Sequence, residues 1–237
     1  MTSDGMMPTN VFVTGEYLQK IPLWHTEDSS WKAKHVLQMI ERNRLSPRTI
    51  GDVGCGAGEV LRRLQLEMDP RCRFFGYDIA PAAIELCRSR ENDRLQFRLA
   101  DATQEPNVCF DLLLVLDVLE HQENYFRFLR AIKPLAPYKI FHQVLDLSVY
   151  SLIQKDGLTK RRRLLEDLHF FTKDTTLQAL RDEKYEILDW FYAPRSIYRS
   201  SRIPEKIRQL PRALCFAVHK DIAVRLLGGY TLFVLAT

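Results

Sequence analysis

A chain of 237 residues that is 46% hydrophobic can bury a full core and need be no more than one domain. Its net charge of +4 is mild, and no stretch offers the roughly 20 consecutive apolar residues of a membrane span. Five cysteines without C-x-x-C spacing argue against a disulfide framework and against a zinc site; with an N-terminus lacking a basic region followed by an apolar one, they predict a reducing, cytoplasmic setting.

Residues 1–15 carry no periodic pattern and are expected to be poorly structured. Ser29-Ser30 then offers an N-cap for a helix whose Trp31, Ala33, Val36, Leu37 and Ile40 recur at helical spacing, and Leu45-Ser46-Pro47 breaks it. Strands are predicted near 49–53, 73–78, 95–99, 110–116 and 138–143, alternating with helices near 58–67, 81–90 and 122–133. Such alternation means a parallel sheet with right-handed crossovers. The run from Phe110 to Leu116 is almost unbroken in its apolarity, as a strand covered on both faces should be.

Residues 144–168 interrupt the rhythm with Val149, Tyr150, Leu152 and Ile153 and then the basic run Lys160-Arg161-Arg162-Arg163, which predicts an insertion. Lys173 to Asp182 reads as a helix and Tyr185 to Tyr192 as a sixth strand. Residues 193–225, broken by Pro194, Pro204 and Pro211, read as a second insertion, and Gly228-Gly229 precedes a last apolar strand from Tyr230 to Ala236. The basic run and the later Arg195, Arg199, Arg202, Lys206, Arg208 and Arg212 read either as solvated faces or as a docking surface for phosphate, carboxylate or nucleic acid.

The chemistry concentrates where the first strands end. Ile50-Gly51-Asp52-Val53-Gly54-Cys55-Gly56-Ala57-Gly58 is a strand running into three closely spaced glycines and then a helix start. Glycine lets a backbone turn sharply and approach a ligand without a Cβ in the way, and the helix N-terminus behind it favours polar or anionic groups. Asp78 closes the second strand, 78 − 58 = 20 residues after the last glycine, where an acid is placed to accept the hydroxyls of a ribose. Pro81 opens the following helix. Asp101 closes the third strand and Asp117 the fourth. Ligands on parallel sheets bind beyond the carboxyl ends of the strands, and Gly54, Asp78, Asp101 and Asp117 all fall there.

The G-x-G-x-G spacing, with Asp52 before it, resembles the first motif of the class I S-adenosylmethionine (SAM) dependent methyltransferases rather than the G-x-G-x-x-G of nicotinamide and flavin proteins. Gly76 to Cys87 is similar to that family's "GxDxSPxxIxxA", and Asp117-Val118-Leu119-Glu120-His121 to the "DVLEH" of its small-molecule members. The likeness is strong over roughly Thr49 to Gln143 and looser elsewhere.

It implies an α/β fold: a Rossmann-like, seven-stranded, mostly parallel sheet of order 3-2-1-4-5-7-6, its last strand antiparallel, with helices on both faces. It implies one methyltransferase domain over 1–237, with residues 1–45 as a helical lid and 144–168 and 193–225 as an acceptor-binding cap. SAM is the implied cofactor. Its expected contacts are Asp52, Gly54, Cys55, Gly56, Gly58, Asp78, Ile79, Asp101, Ala102, Asp117 and Val118, with aromatic cover from Tyr17 and Trp31, and with Trp24 as a further candidate. His121 is the first choice for a general base and His169 for an acceptor-pocket histidine; His142 and His25 are weaker candidates.

The absence of Asn-Pro-Pro-Tyr or Asp-Pro-Pro-Tyr after the fourth strand argues against methylation of DNA bases, and no RNA-binding module is recognisable. The expected acceptor is therefore a small molecule, methylated on oxygen, with no nucleic acid and no membrane span. An RNA or protein methyltransferase docking through the basic segments, and a non-catalytic SAM-binding protein, are the rival readings; a nicotinamide oxidoreductase is disfavoured by the glycine spacing.

Overall fold

A computed structural model of the chain describes residues 11–22, 24, 26–194 and 212–237. Seven strands form one sheet: β1 (Thr49–Val53), β2 (Arg73–Asp78), β3 (Leu95–Leu99), β4 (Leu112–Leu116), β5 (Tyr138–Leu145), β6 (Ile187–Pro194) and β7 (Tyr230–Ala236). Their order is β3-β2-β1-β4-β5-β7-β6, and β7 runs antiparallel to both of its neighbours, β5 and β6. The expected Rossmann-like architecture is thus the observed one.

The helices are α1 (Val11–Thr14), α2 (Glu16–Lys20), α3 (Ser29–Arg42), α4 (Glu59–Glu67), α5 (Pro81–Cys87), α6 (Tyr125–Ile132), α7 (Val149–Ile153), α8 (Gly157–Leu165), α9 (Lys173–Asp182), α10 (residues 212–218) and α11 (Lys220–Leu227). Strand periodicity splits the core in two. Leu112, Leu114 and Leu116 of β4 pack with Ile50, Phe74 and the apolar stripes of α3 and α4. Leu113 and Val115 point the other way, onto Leu129 and Ile132 of α6 and Leu177 and Leu180 of α9. Every residue of β4 is buried, which is why its sequence does not alternate.

Several boundaries differ from the sequence reading, each for a local reason. Residues 11–14, expected to be unstructured, form the short α1. Ser29 does not cap α3 from outside; it is the first helical residue, after Asp28 in a short 3-10 turn. β4 begins at Leu112, because the Phe110 amide donates to the Leu135 carbonyl and leaves the ladder. The helix placed at 122–133 begins at Tyr125, because the Asn124 side chain accepts from the Arg127 amide and caps it there. The first insertion is two short helices, α7 and α8. Of the second, β6 takes Ala193 and Pro194, and α10 and much of α11 complete its described part; residues 195–211, and His25 far from them in the chain, lie outside the described residues.

Candidate functional site

The glycine loop after β1 is held by backbone bonds before any side chain is considered. The amides of Gly54 and Cys55 both donate to the Tyr77 carbonyl, at 2.8 and 3.1 Å, tying the loop to the end of β2. Gly54 (φ 75°) and Gly56 (φ 54°) sit in the left-handed region. A Cβ on Gly56 would lie 2.6 Å from the Trp24 ring, and one on Gly54 would lie 2.8 Å from Val118. Neither position has room for any other residue.

Asp78 completes this turn. Its Oδ2 accepts from the Gly56 amide at 2.8 Å and its Oδ1 from the Ala80 amide at 2.9 Å, and the Ile79 amide adds to them, so the carboxylate is fixed at the strand tip. Burial pushes its carboxyl up against these stabilising amide bonds. Asp101 also stands at a strand end, but its Oδ1 is engaged locally, accepting from the amide and hydroxyl of Thr103 at 2.9 and 2.8 Å.

These groups surround a cavity of about 530 Å³, within the range of small-ligand sites. Asp52, Gly54, Cys55, Gly56, Asp78, Ile79 and Asp101 line one end. Asp117, Val118, Glu120 and His121 continue the wall beyond β4, and Phe12, Tyr17 and Trp24 cover it from the N-terminal segment. The first insertion contributes Val144, Leu165 and Asp167, whereas no described residue of 193–225 reaches the wall.

Four sequence candidates lie off that wall. Gly58 is the residue before α4 and packs beneath the loop against Phe97 and Cys87. Ala102 is fully buried behind Asp101. Trp31 turns inward, its ring 4.5 Å from His35 and 5.6 Å from His142. His169 turns toward α6, its ring 5.0 Å from Tyr125 and its Nε2 3.4 Å from the Glu123 carbonyl. The weaker candidate His142 is also buried off the wall, packed on Phe233 with its Nδ1 2.7 Å from Asp117 Oδ1.

His121 does face the cavity. Its Nδ1 lies 3.2 Å from the Glu166 carbonyl and 3.8 Å from Asp167 Oδ1. A carbonyl only accepts, so Nδ1 carries the hydrogen and Nε2 is left as the basic nitrogen. Asp167 is itself fixed by Arg161 at 2.8 Å. Glu120 is buried beside it and accepts from the Gln143 amide at 3.1 Å. Burial first, and then the negative Asp117, hold the Glu120 carboxyl well above the usual range.

One participant was not legible in the sequence. Lys32, on α3, reaches across to place its ammonium 2.6 Å from Asp117 Oδ2, while Asp117 itself stands at φ 57° at the end of β4. Lys32 also lines the cavity near Asp52. In the chain these partners are 117 − 32 = 85 residues apart. Nothing in the local pattern marks Lys32 out from a solvated helix lysine. Glu120 stands in the Asp117-to-His121 motif with no role implied for it, Arg161 reads only as one member of a basic run, and Asp167 carries no local signal.

Asp52 presents the sharpest electrostatic feature. It is buried, and its Oδ1 has no hydrogen-bond partner. Burial pushes its carboxyl up to about 8, with the Lys32 charge pulling the other way. The folded value lies above the 3.8 of the free side chain, so the folded protein keeps a proton that the unfolded chain has released. The stability contributed by Asp52 is therefore full below about pH 4 and lost as pH rises through about 8. Asp52→Asn keeps the shape without the titration. Its melting temperature should fall less than that of the wild type between about pH 5 and 9. Melting curves that fall in parallel would assign the pH dependence to other groups.

A family model described as a methyltransferase domain matches residues 48–186, more than half of the chain. The chain belongs to this methyltransferase-domain family. A tRNA N(3)-methylcytidine methyltransferase of Drosophila melanogaster is 31% identical over 105 residues, which cover 36% of this chain and 32% of that protein. A malonyl-[acyl-carrier protein] O-methyltransferase of Acetivibrio thermocellus is 37% identical over 84 residues, 35% of this chain and 29% of that protein. The chain thus spans about a third of the length of the curated relatives it matches. Among solved structures, magnesium protoporphyrin IX methyltransferase from Synechocystis PCC 6803 with bound SAH superposes with a TM-score of 0.57 at 15% identity, covering 92% of this chain and 84% of that one. At that identity the likeness concerns the fold alone. Among the described residues of this family member, no helix is long and apolar enough to cross a membrane.

Proposed function

We propose that this family member is a SAM-dependent methyltransferase that moves the methyl group to a hydroxyl of a small-molecule acceptor by in-line displacement. The observation that carries the reading is one cavity with a glycine loop, Asp78 and the buried Asp52 at one end and His121 farther along its wall. The residues suit the nucleoside. Asp78 presents a fixed carboxylate to two vicinal hydroxyls, and the glycine loop leaves space that side chains would fill. Asp52, whose Oδ1 has no hydrogen-bond partner, suits a cationic amino group, whose arrival would draw off its proton.

When bound, SAM supplies an electrophilic methyl on a sulfonium. The chain then has to hold the acceptor oxygen in line with it, and positioning of that kind is worth about 7–11 kcal/mol of barrier. His121 Nε2 takes the hydroxyl proton as the oxygen attacks, while Glu166 and Asp167 hold the ring from its other side. Phe12, Tyr17 and Trp24 screen the cavity from water as a lid, and their rings would offer cation–π contact to a sulfonium. The 144–168 insertion, through Leu165 and Asp167, forms the acceptor side.

Titration calorimetry with SAM and with its demethylated product, followed by mass spectrometry of hydroxyl-bearing acceptors incubated with protein and SAM, tests this reading. Heat of binding and a gain of one methyl on oxygen are expected. Absence of binding would discard the cofactor; methyl found on nitrogen would discard the acceptor class.

A further inference from the structure

The strongest feature outside the cavity is the α7–α8 hairpin. Neither helix buries a single residue, which is unusual for consecutive helices of a folded domain. Leu152 and Ile153 stand 66% and 77% exposed, with Val149, Tyr150 and Leu164 also open to solvent. α7 packs against α11, where Ile222 and Leu226 are exposed too. Scattered apolar residues need no explanation, but a group on adjacent helices marks an interaction surface.

The same hairpin is basic. Lys155, Lys160, Arg162 and Arg163 are all exposed, and among the described residues none of them has a carboxylate within ion-pairing distance. Arg161 alone of the run turns inward, to Asp146 and Asp167, while Asp156 is the one acid in the turn between the helices. The hairpin also adjoins the cavity, because Leu165 ends α8 and lines the wall together with Asp167.

We propose that the α7–α8 hairpin docks this protein on an anionic lipid surface, with Leu152 and Ile153 entering the interface and the four basic residues on the headgroups. Charge complementarity selects this occupant. A second copy of the chain would bring two basic clusters together, and RNA would meet aliphatic side chains with Tyr150 as the sole exposed Phe, Tyr or Trp ring among the described residues for a base to stack on. The surface makes the acceptor an amphiphile presented from the bilayer, a consequence that rests on the methyltransferase reading above.

Cosedimentation of the whole chain with vesicles of phosphatidylcholine, alone or mixed with phosphatidylglycerol, tests the surface without needing turnover. Binding is expected on the anionic vesicles and not on the neutral ones. Removing Lys160, Arg162 and Arg163 together should weaken it by roughly 100-fold, at about five-fold per charge. L152D/I153D should weaken it by at least roughly ten-fold. Circular dichroism and SAM calorimetry on both variants should be unchanged, since none of these residues lines the cavity.

Equal partitioning to both vesicle types, no partitioning at all, or an L152D/I153D variant that binds as well as wild type would each overturn the proposal. So would tighter binding to a single-stranded RNA in the same buffer, or a dimer that the L152D/I153D change dissolves. SAM binding without vesicle binding sinks the surface alone. Vesicle binding without SAM binding sinks the methyltransferase reading and leaves the surface standing.

Discussion

Alanine in place of His121 is expected to lower turnover by about 10²–10⁴-fold while leaving SAM affinity nearly intact, the signature of a lost general base. The argument is geometric. Nδ1 is committed to the Glu166 carbonyl, so the imidazole presents Nε2 as its one proton acceptor, on the wall that also carries Asp117 and Glu120. Asp167 Oδ1 lies 3.8 Å away on the Nδ1 side, so both neighbours of that nitrogen hold the ring from the side opposite Nε2. His121→Gln separates proton transfer from shape: it keeps polar contacts and should remain as slow as the alanine variant. Turnover at the wild-type level in either variant would remove His121 from the reaction.

Asp78→Ala is expected to weaken SAM by roughly 10²–10⁴-fold, from two charge-assisted hydrogen bonds worth about 1.5–3 kcal/mol each. The same carboxylate also holds the amides of Gly56 and Ala80, so the substitution both removes a ligand contact and loosens the glycine turn. Asp78→Asn separates the two contributions. It retains one acceptor oxygen but no charge, and should fall between wild type and alanine. Affinity unchanged in the alanine variant, with the fold intact by circular dichroism, would be incompatible with Asp78 holding the ribose.

How much of this could be read in advance depended on the range of the interaction. β1, β2 and β3 were legible to the residue, because an apolar run closed by a glycine or an acid is a local signal. The ends of β4 and α6 were misplaced by a few residues. Phe110 looks like strand yet bonds to Leu135, and the cap that starts α6 falls on Asn124 rather than at 122. His169 and Trp31 failed as cavity residues for a different reason. Backbone position brought both near the site, but their rings found better packing on Tyr125 and on His35.

The sequence by itself determined the alternating architecture, the glycine turn and the acids at the strand tips. Periodicity, φ preference and spacing are properties of a few neighbouring residues. Only the tertiary structure decided that Lys32 pairs with Asp117, that Asp52 is buried with its Oδ1 left without a hydrogen bond, and that Glu166 and Asp167 fix the His121 ring. These arrangements join side chains tens of residues apart, and their energies depend on burial and on distances of a few ångströms. No local pattern encodes either quantity, because both arise only when the sheet and its covering helices close around the same space.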